Sequence, residues 1–165
     1  WGLNWHRDRL MELGLTLGAD VPVFIYGNNA FAEGVGEKLS AVDLPNAWYL
    51  VLMPPVHVST AQIFASNELT RNTIPITIPP FSIRDGHNDL EPVVCRMYSD
   101  VAKCIDWLKK LDNTTLVAMT GSGASVFAEF ETEAQAKEAY LRLPDGVNAV
   151  VAKGLTKHPL KDFYR

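Results

Sequence analysis

Thr120-Gly-Ser-Gly-Ala-Ser125 separates two apolar runs, Thr115 to Met119 and Val126 to Glu131, and constrains this chain more than any other stretch. Short runs rich in β-branched and apolar residues read as strands, and a glycine-rich break between two of them reads as the turn that pairs them. Glycines at 121 and 123 let the backbone turn several amides toward one point, an anion nest that needs no side-chain charge. The loop is not a P-loop, because no Lys-Ser/Thr pair follows and a strand rather than a helix comes next. The alternative is a plain hairpin turn, with Ser122 and Ser125 as ordinary turn hydroxyls.

The elements around this hairpin fall into an order. Trp48 to Met53 reads as a buried strand, and Ser59 or Thr60 caps a short helix through Phe64. Asn88 or Asp89 opens a helix to about Tyr98, and another runs from Ser99 to about Leu111 with Val101, Ile105 and Leu108 at helical spacing. Thr132-Glu-Ala-Gln135 starts a helix reaching Leu143, and Asn148 to Ala152 makes a last strand. Strand, helices, strand, strand, helix, strand is the ferredoxin-like split βαβ arrangement, an α+β fold with an enlarged first crossover. Asn67 to His87 holds Pro75, Pro79 and Pro80 and reads as loops. Upstream, Leu3, Leu10, Leu13 and Leu17 mark a helix ended by Gly18. Pro22 biases Val21 toward an extended conformation, and Val23 to Tyr26, Ala30 to Glu33 and Glu37 to Val42 are short strand candidates.

Composition excludes several function classes. A formal charge of −4 with scattered basic residues argues against a nucleic-acid surface, which draws its affinity from clustered Lys and Arg. No apolar run approaches the roughly 20 residues of a membrane span, and the first residues lack the layout of a signal peptide, so the cytoplasm is the expected compartment. Cys95 and Cys104 lie nine residues apart in a helical region and the four histidines show no ligand spacing, so no structural metal is expected.

Asp20 stands between Ala19 and Val21, followed by Pro22-Val23-Phe24. It either caps a local turn or sits in a partly dry pocket, where desolvation would raise its basicity. A carboxylate of the second kind can accept or orient a hydroxyl proton, which phosphoryl transfer needs because its catalysis is mostly positioning and charge stabilisation. The lysine-bearing nucleotide cradle that would complete such a site does not occur in these 165 residues.

Gly18-Ala-Asp-Val-Pro-Val-Phe24, Ala32-Glu-Gly-Val-Gly-Glu37, Val58-Ser-Thr-Ala-Gln-Ile-Phe64, Asn88-Asp-Leu-Glu-Pro-Val-Val94 and Met119-Thr-Gly-Ser-Gly-Ala124, in this order and spacing, resemble the diphosphocytidyl methylerythritol kinases of the GHMP kinase superfamily. The resemblance runs almost end to end. It implies an ATP- and Mg2+-dependent kinase of non-mevalonate isoprenoid biosynthesis that phosphorylates the tertiary hydroxyl of a cytidine-diphosphate conjugate. Asp20 matches the family's catalytic aspartate. Thr120, Gly121, Ser122, Gly123 and Ala124 match its glycine loop near the phosphates, where backbone amides stabilise transferred charge. Phe64 falls where relatives stack an aromatic ring on the cytosine, with Val35 and Thr60 in segments lining that pocket; for Phe64 the alternative is a core position of a short helix.

Two departures from the family pattern bear on what this chain does. The amino-terminal region with the active-site lysine and the ATP loop would precede Trp1, and Ser125 stands where many relatives carry Cys. The expected division is therefore 1–42, a remnant of the amino-terminal domain with the Asp20 segment, and 43–165, the carboxy-terminal substrate-side domain. Alone the chain is expected not to turn over, and apolar surface around residues 7 to 42 is expected to promote self-association. Two further readings compete: a stand-alone ferredoxin-like module binding an anionic small molecule, and another GHMP kinase of the homoserine or mevalonate type, which would share Asp20 and the loop but not the Phe64 segment.

Overall fold

The computed structural model describes residues 4–73, 86–159 and 161. Two compact units emerge, Ala47–Gly154 and the pair of segments Trp1–Asn46 and Leu155–Arg165. The amino-terminal segment thus reaches residue 46 rather than the expected 42, and the described residues 155–159 and 161 group with it rather than with the larger unit.

The larger unit has a four-stranded antiparallel sheet. Its strands are β3 (Trp48–Met53), β4 (Leu116–Met119), β5 (Val126–Phe130) and β6 (Asn148–Lys153), in the order β4-β5-β3-β6. Among the described residues α3 (Thr60–Ala65), α4 (Glu91–Met97) and α5 (Ser99–Leu108) lie in the first crossover, and α6 (Glu133–Leu141) lies in the second. This is the split βαβ topology that the element order predicts. Strand period sets which residues meet the helices. Leu50 and Leu52 of β3 face the same way as Val126, Ala128 and Phe130 of β5, and all five are buried. Against them α5 presents Val101, Cys104, Ile105 and Leu108, one helical stripe, joined by Val93 and Val94 of α4, Ile63 of α3 and Ala136 and Ala139 of α6. Burying each of the larger side chains contributes about 1.5–3 kcal/mol.

Local chemistry explains the ends of these elements. Thr132 accepts from Gln135 N while the Gln135 side chain accepts from Thr132 N, a capping box that starts α6. Ser59 occupies the residue before α3 but makes no side-chain cap bond. Asn88 and Asp89 do not sit at the cap of α4 either: the helix begins at Glu91, and the Asn88 carboxamide oxygen accepts from Leu90 N one turn earlier at 3.0 Å. Helices α5 and α6 stop at Leu108 and Leu141, short of the predicted Leu111 and Leu143.

The smaller unit comprises α1 (Arg7–Leu17), α2 (Val21–Tyr26) and a hairpin of β1 (Ala30–Glu33) and β2 (Lys38–Ala41), paired Ala30 to Ala41 through Glu33 to Lys38. Val23 to Tyr26 is therefore helix, not the predicted strand. Pro22 falls in the first turn, where its missing N–H has no helical partner to lose, and it starts the helix rather than extending Val21. Gly14 lets α1 approach α2 closely, since a Cβ there would lie 2.7 Å from Ile25 Cδ1. Gly18 ends α1 in extended backbone at φ 168, whereas Gly27, after α2, takes the left-handed conformation expected of a helix-ending glycine. Of the reading of 67–87 as loops, residues 74–85 lie outside the described residues.

Candidate functional site

In the larger unit the glycine loop closes the β4–β5 hairpin. Thr120 N donates to Ser125 O at 3.0 Å and Gly123 N to Thr120 O at 2.9 Å. The two glycines do different things. Gly123, at φ +83, has Met119 Sδ 3.0 Å and Val94 Cγ1 3.6 Å from where a Cβ would stand, so it seats the loop on the core. Gly121, at φ +54, has nothing within 4 Å of that position and lies beside open space. Among the described residues the amides of Gly121, Ser122 and Ala124 have no hydrogen-bond acceptor, which leaves them available to an anion.

The loop is gripped from two sides. Strand β4 is an edge, and because Thr120 and Ser125 form a bonded pair, the neighbouring Met119 turns both its N–H and its C=O away from β5. Glu91 Oε2 accepts from Met119 N at 3.0 Å, while Asn88 Nδ2 donates to Met119 O at 3.1 Å and to Gly121 O at 2.7 Å. Lys109 Nζ stands 3.7 Å from the Glu91 carboxylate. On another side Thr60 Oγ1 and Ser122 Oγ share a hydrogen bond at 2.7 Å, joining the start of α3 to the loop. Two segments far apart in sequence are brought together here.

Phe64 is 55% exposed on α3, and the core position of that short helix is its neighbour Ile63, which is fully buried. Arg71 donates to the carbonyls of Phe64, Ser66 and Leu69, satisfying backbone groups at and beyond the end of α3.

In the smaller unit Asp20 occupies the residue before α2, exposed and with no side-chain cap bond, so neither a capping role nor a dry pocket describes it. The β1–β2 turn abuts it: a Cβ on Gly36, at φ +115, would stand 2.8 Å from Ala19 O. Val35, 69% exposed, lies in the same turn. Glu37 fixes that turn, accepting from Val35 N at 2.7 Å, and its own backbone hydrogen bond, then the Val35 bond, hold its carboxyl below the usual range.

Asn88, Glu91 and Arg71 were not legible as site residues. Asn88 and Glu91 stand in a motif of the family resemblance, but their contact with the loop spans 31 and 28 residues and exists only after the strand and helix meet. Arg71 carries no sequence signal. Among the described residues no group of three His, Cys, Asp or Glu side chains is placed to hold a metal ion. No described helix is long and apolar enough to cross a membrane.

Comparison with known proteins adds a second line of observation. Residues 82–149 match the family described as GHMP kinases C terminal. The chain is 60% identical over 163 residues to the 4-diphosphocytidyl-2-C-methyl-D-erythritol kinase of Nitrosospira multiformis, covering 99% of this chain and 55% of that protein. It is 62% identical to the protein of the same name in Nitrosomonas europaea, with 99% and 59% covered, and 55% identical to that of Thiobacillus denitrificans, with 99% and 58% covered. A crystal structure of 4-(cytidine 5'-diphospho)-2C-methyl-D-erythritol kinase superposes with a TM-score of 0.71 at 28% identity, covering 87% of this chain and 56% of that one. The chain thus spans a little over half the length of these relatives.

Proposed function

We propose that this chain belongs to the GHMP kinase superfamily and is the carboxy-terminal part of an ATP-dependent kinase acting on a cytidine-diphosphate conjugate of methylerythritol in isoprenoid biosynthesis. The observation that carries the reading is the glycine loop: three amides without an acceptor among the described residues, beside open space at Gly121, on a hairpin seated on the core by Gly123. Such amides stabilise charge on a transferring phosphoryl group without reorganising. Thr120, Gly121, Ser122, Gly123 and Ala124 form this phosphate loop, with ATP and its Mg2+ as co-substrate.

For the smaller unit the proposal gives Asp20 the role of accepting or orienting the proton of the substrate hydroxyl; its exposed carboxylate is open to a ligand. For α3 it gives Phe64 a stacking platform for the cytosine, worth about 1–3 kcal/mol, since the ring is exposed and not a core element. Thr60, at the start of α3, and Val35, in the β1–β2 turn, are each given a substrate-binding role within their own unit. The proposed compartment is the cytoplasm.

The test uses this chain completed with the part of the Nitrosospira relative that it lacks. ATP consumption with magnesium and the cytidine-diphosphate methylerythritol substrate should fall by roughly 10²-fold or more in Asp20→Asn. No turnover on that substrate sinks the assignment, and turnover insensitive to Asp20 removes the residue while keeping the kinase. Competition by cytidine nucleotides separates this reading from other GHMP kinases.

A further inference from the structure

We propose that Asn88 is a positioning residue that aims one amide of the glycine loop, Ser122 N–H, at a phosphate oxygen; this rests on the reading of the loop as the phosphate site. Asn88 uses its whole side chain. Nδ2 donates to Met119 O and Gly121 O, and Oδ1 accepts from Leu90 N, while its own carbonyl accepts from Glu91 N at 3.0 Å. The network itself assigns the carboxamide orientation, because a flipped group would set its oxygen against two carbonyls.

The consequence for the loop follows from peptide geometry. In a trans peptide the C=O and the following N–H point in opposite directions. Turning Met119 O toward Asn88 therefore sends Thr120 N–H the other way, and that N–H does meet Ser125 O across the hairpin. By the same logic, turning Gly121 O toward Asn88 sends Ser122 N–H away from α4. That amide has no acceptor among the described residues, and the adjoining Gly121 faces open space. The Thr60 hydroxyl holds the Ser122 side chain, so both ends of the residue are set before any ligand arrives. An oxyanion is the ligand this arrangement fits, since it accepts from a preorganised N–H that otherwise bonds only to water.

Asn88→Asp is the discriminating variant. It keeps the acceptor for Leu90 N and the size of the side chain, but removes both donors and sets a carboxylate against two carbonyls. Asn88→Ser, which also keeps a short acceptor, serves as a second variant if the first does not fold. In this chain, backbone order parameters of residues 121–124 should sit near the strand value of about 0.85 in wild type and drop toward about 0.6 in the variant. Exchange protection of Thr120 and Gly123 amides should be lost in parallel, with Leu50 and Val126 unchanged. A folded variant whose loop keeps wild-type order overturns the proposal. In the completed kinase, kcat/KM for MgATP should fall roughly 10–100-fold, with KM for the cytidine substrate unchanged; an unchanged kcat/KM for MgATP also overturns it. If the wild-type kinase shows no phosphorylation, the functional reading fails and the order parameters alone decide the role of Asn88.

Discussion

Tyr49 and Glu129 show how a polar pair is accommodated on the sheet face that the core does not use. Glu129 is the one buried charged side chain among the described residues, and it accepts from Tyr49 OH at 2.9 Å and from Thr115 Oγ1 at 2.7 Å. Burial first, and the bond to Glu129 second, push the Tyr49 phenol up to about 12. Its folded-state value is raised, so the stabilisation is complete below the phenol's ordinary value of 10.0 and is lost as pH rises toward 12. Absorbance titration near the phenolate band should find one late tyrosine, which moves down in Glu129→Gln; titration of all tyrosines together near 10 would sink this account. The glycines give a second prediction at this scale. Gly123→Ala meets both a left-handed backbone and Met119 Sδ at 3.0 Å, whereas Gly121→Ala meets backbone strain with open space. We expect Gly123→Ala to cost more than the roughly 1–2 kcal/mol of left-handed strain alone, and Gly121→Ala to cost about that strain. Equal losses in denaturant unfolding would refute the distinction.

At the scale of elements, a strong local signal sufficed wherever one existed. The Thr132 to Gln135 capping box was legible as the start of α6, and removing it by Thr132→Ala should cost about 1 kcal/mol, read as an earlier melt with unchanged near-ultraviolet dichroism; a loss below a few tenths would show that α6 is held by packing alone. The apolar spacing of Val101, Ile105 and Leu108 located α5, and the alternation of β3 and β5 located the central strands. Val21 to Tyr26 was misread because Val, Phe, Ile and Tyr favour strands locally, while Pro22 suits a first helical turn equally well and packing of α1 on α2 decides between the two. The cap of α4 was misplaced for a related reason: Asn88 spends its side chain on the glycine loop and on Leu90 N, and the helix starts three residues later.

At the scale of the whole molecule, the two compact units differ in how well they cover their apolar residues. Among the described residues the larger one holds the buried hydrophobic cluster, whereas the smaller one buries Gly14, Pro22 and Gly27 and leaves Leu17 78%, Phe24 57% and Leu13 49% exposed. Faces of that kind associate. Light scattering on a size-exclusion column should give a mass above 18.3 kDa that rises with concentration, and Leu17→Asp with Phe24→Asp should return it to the monomer; a monomer at every concentration would count against this. The sequence by itself determined the order of elements in the larger unit, the hairpin around Gly121 and Gly123, and the family motifs, because these depend on side-chain period, turn chemistry and residues close along the chain. Only the tertiary structure decided that Asn88 and Glu91 hold the β4 side of the loop, that Thr60 meets Ser122 across 62 residues, and that Phe64 is exposed while Ile63 is buried. Those contacts join segments whose local sequences carry no mark of one another, and packing of the helices on the sheet is what brings their hydrogen-bonding groups within reach.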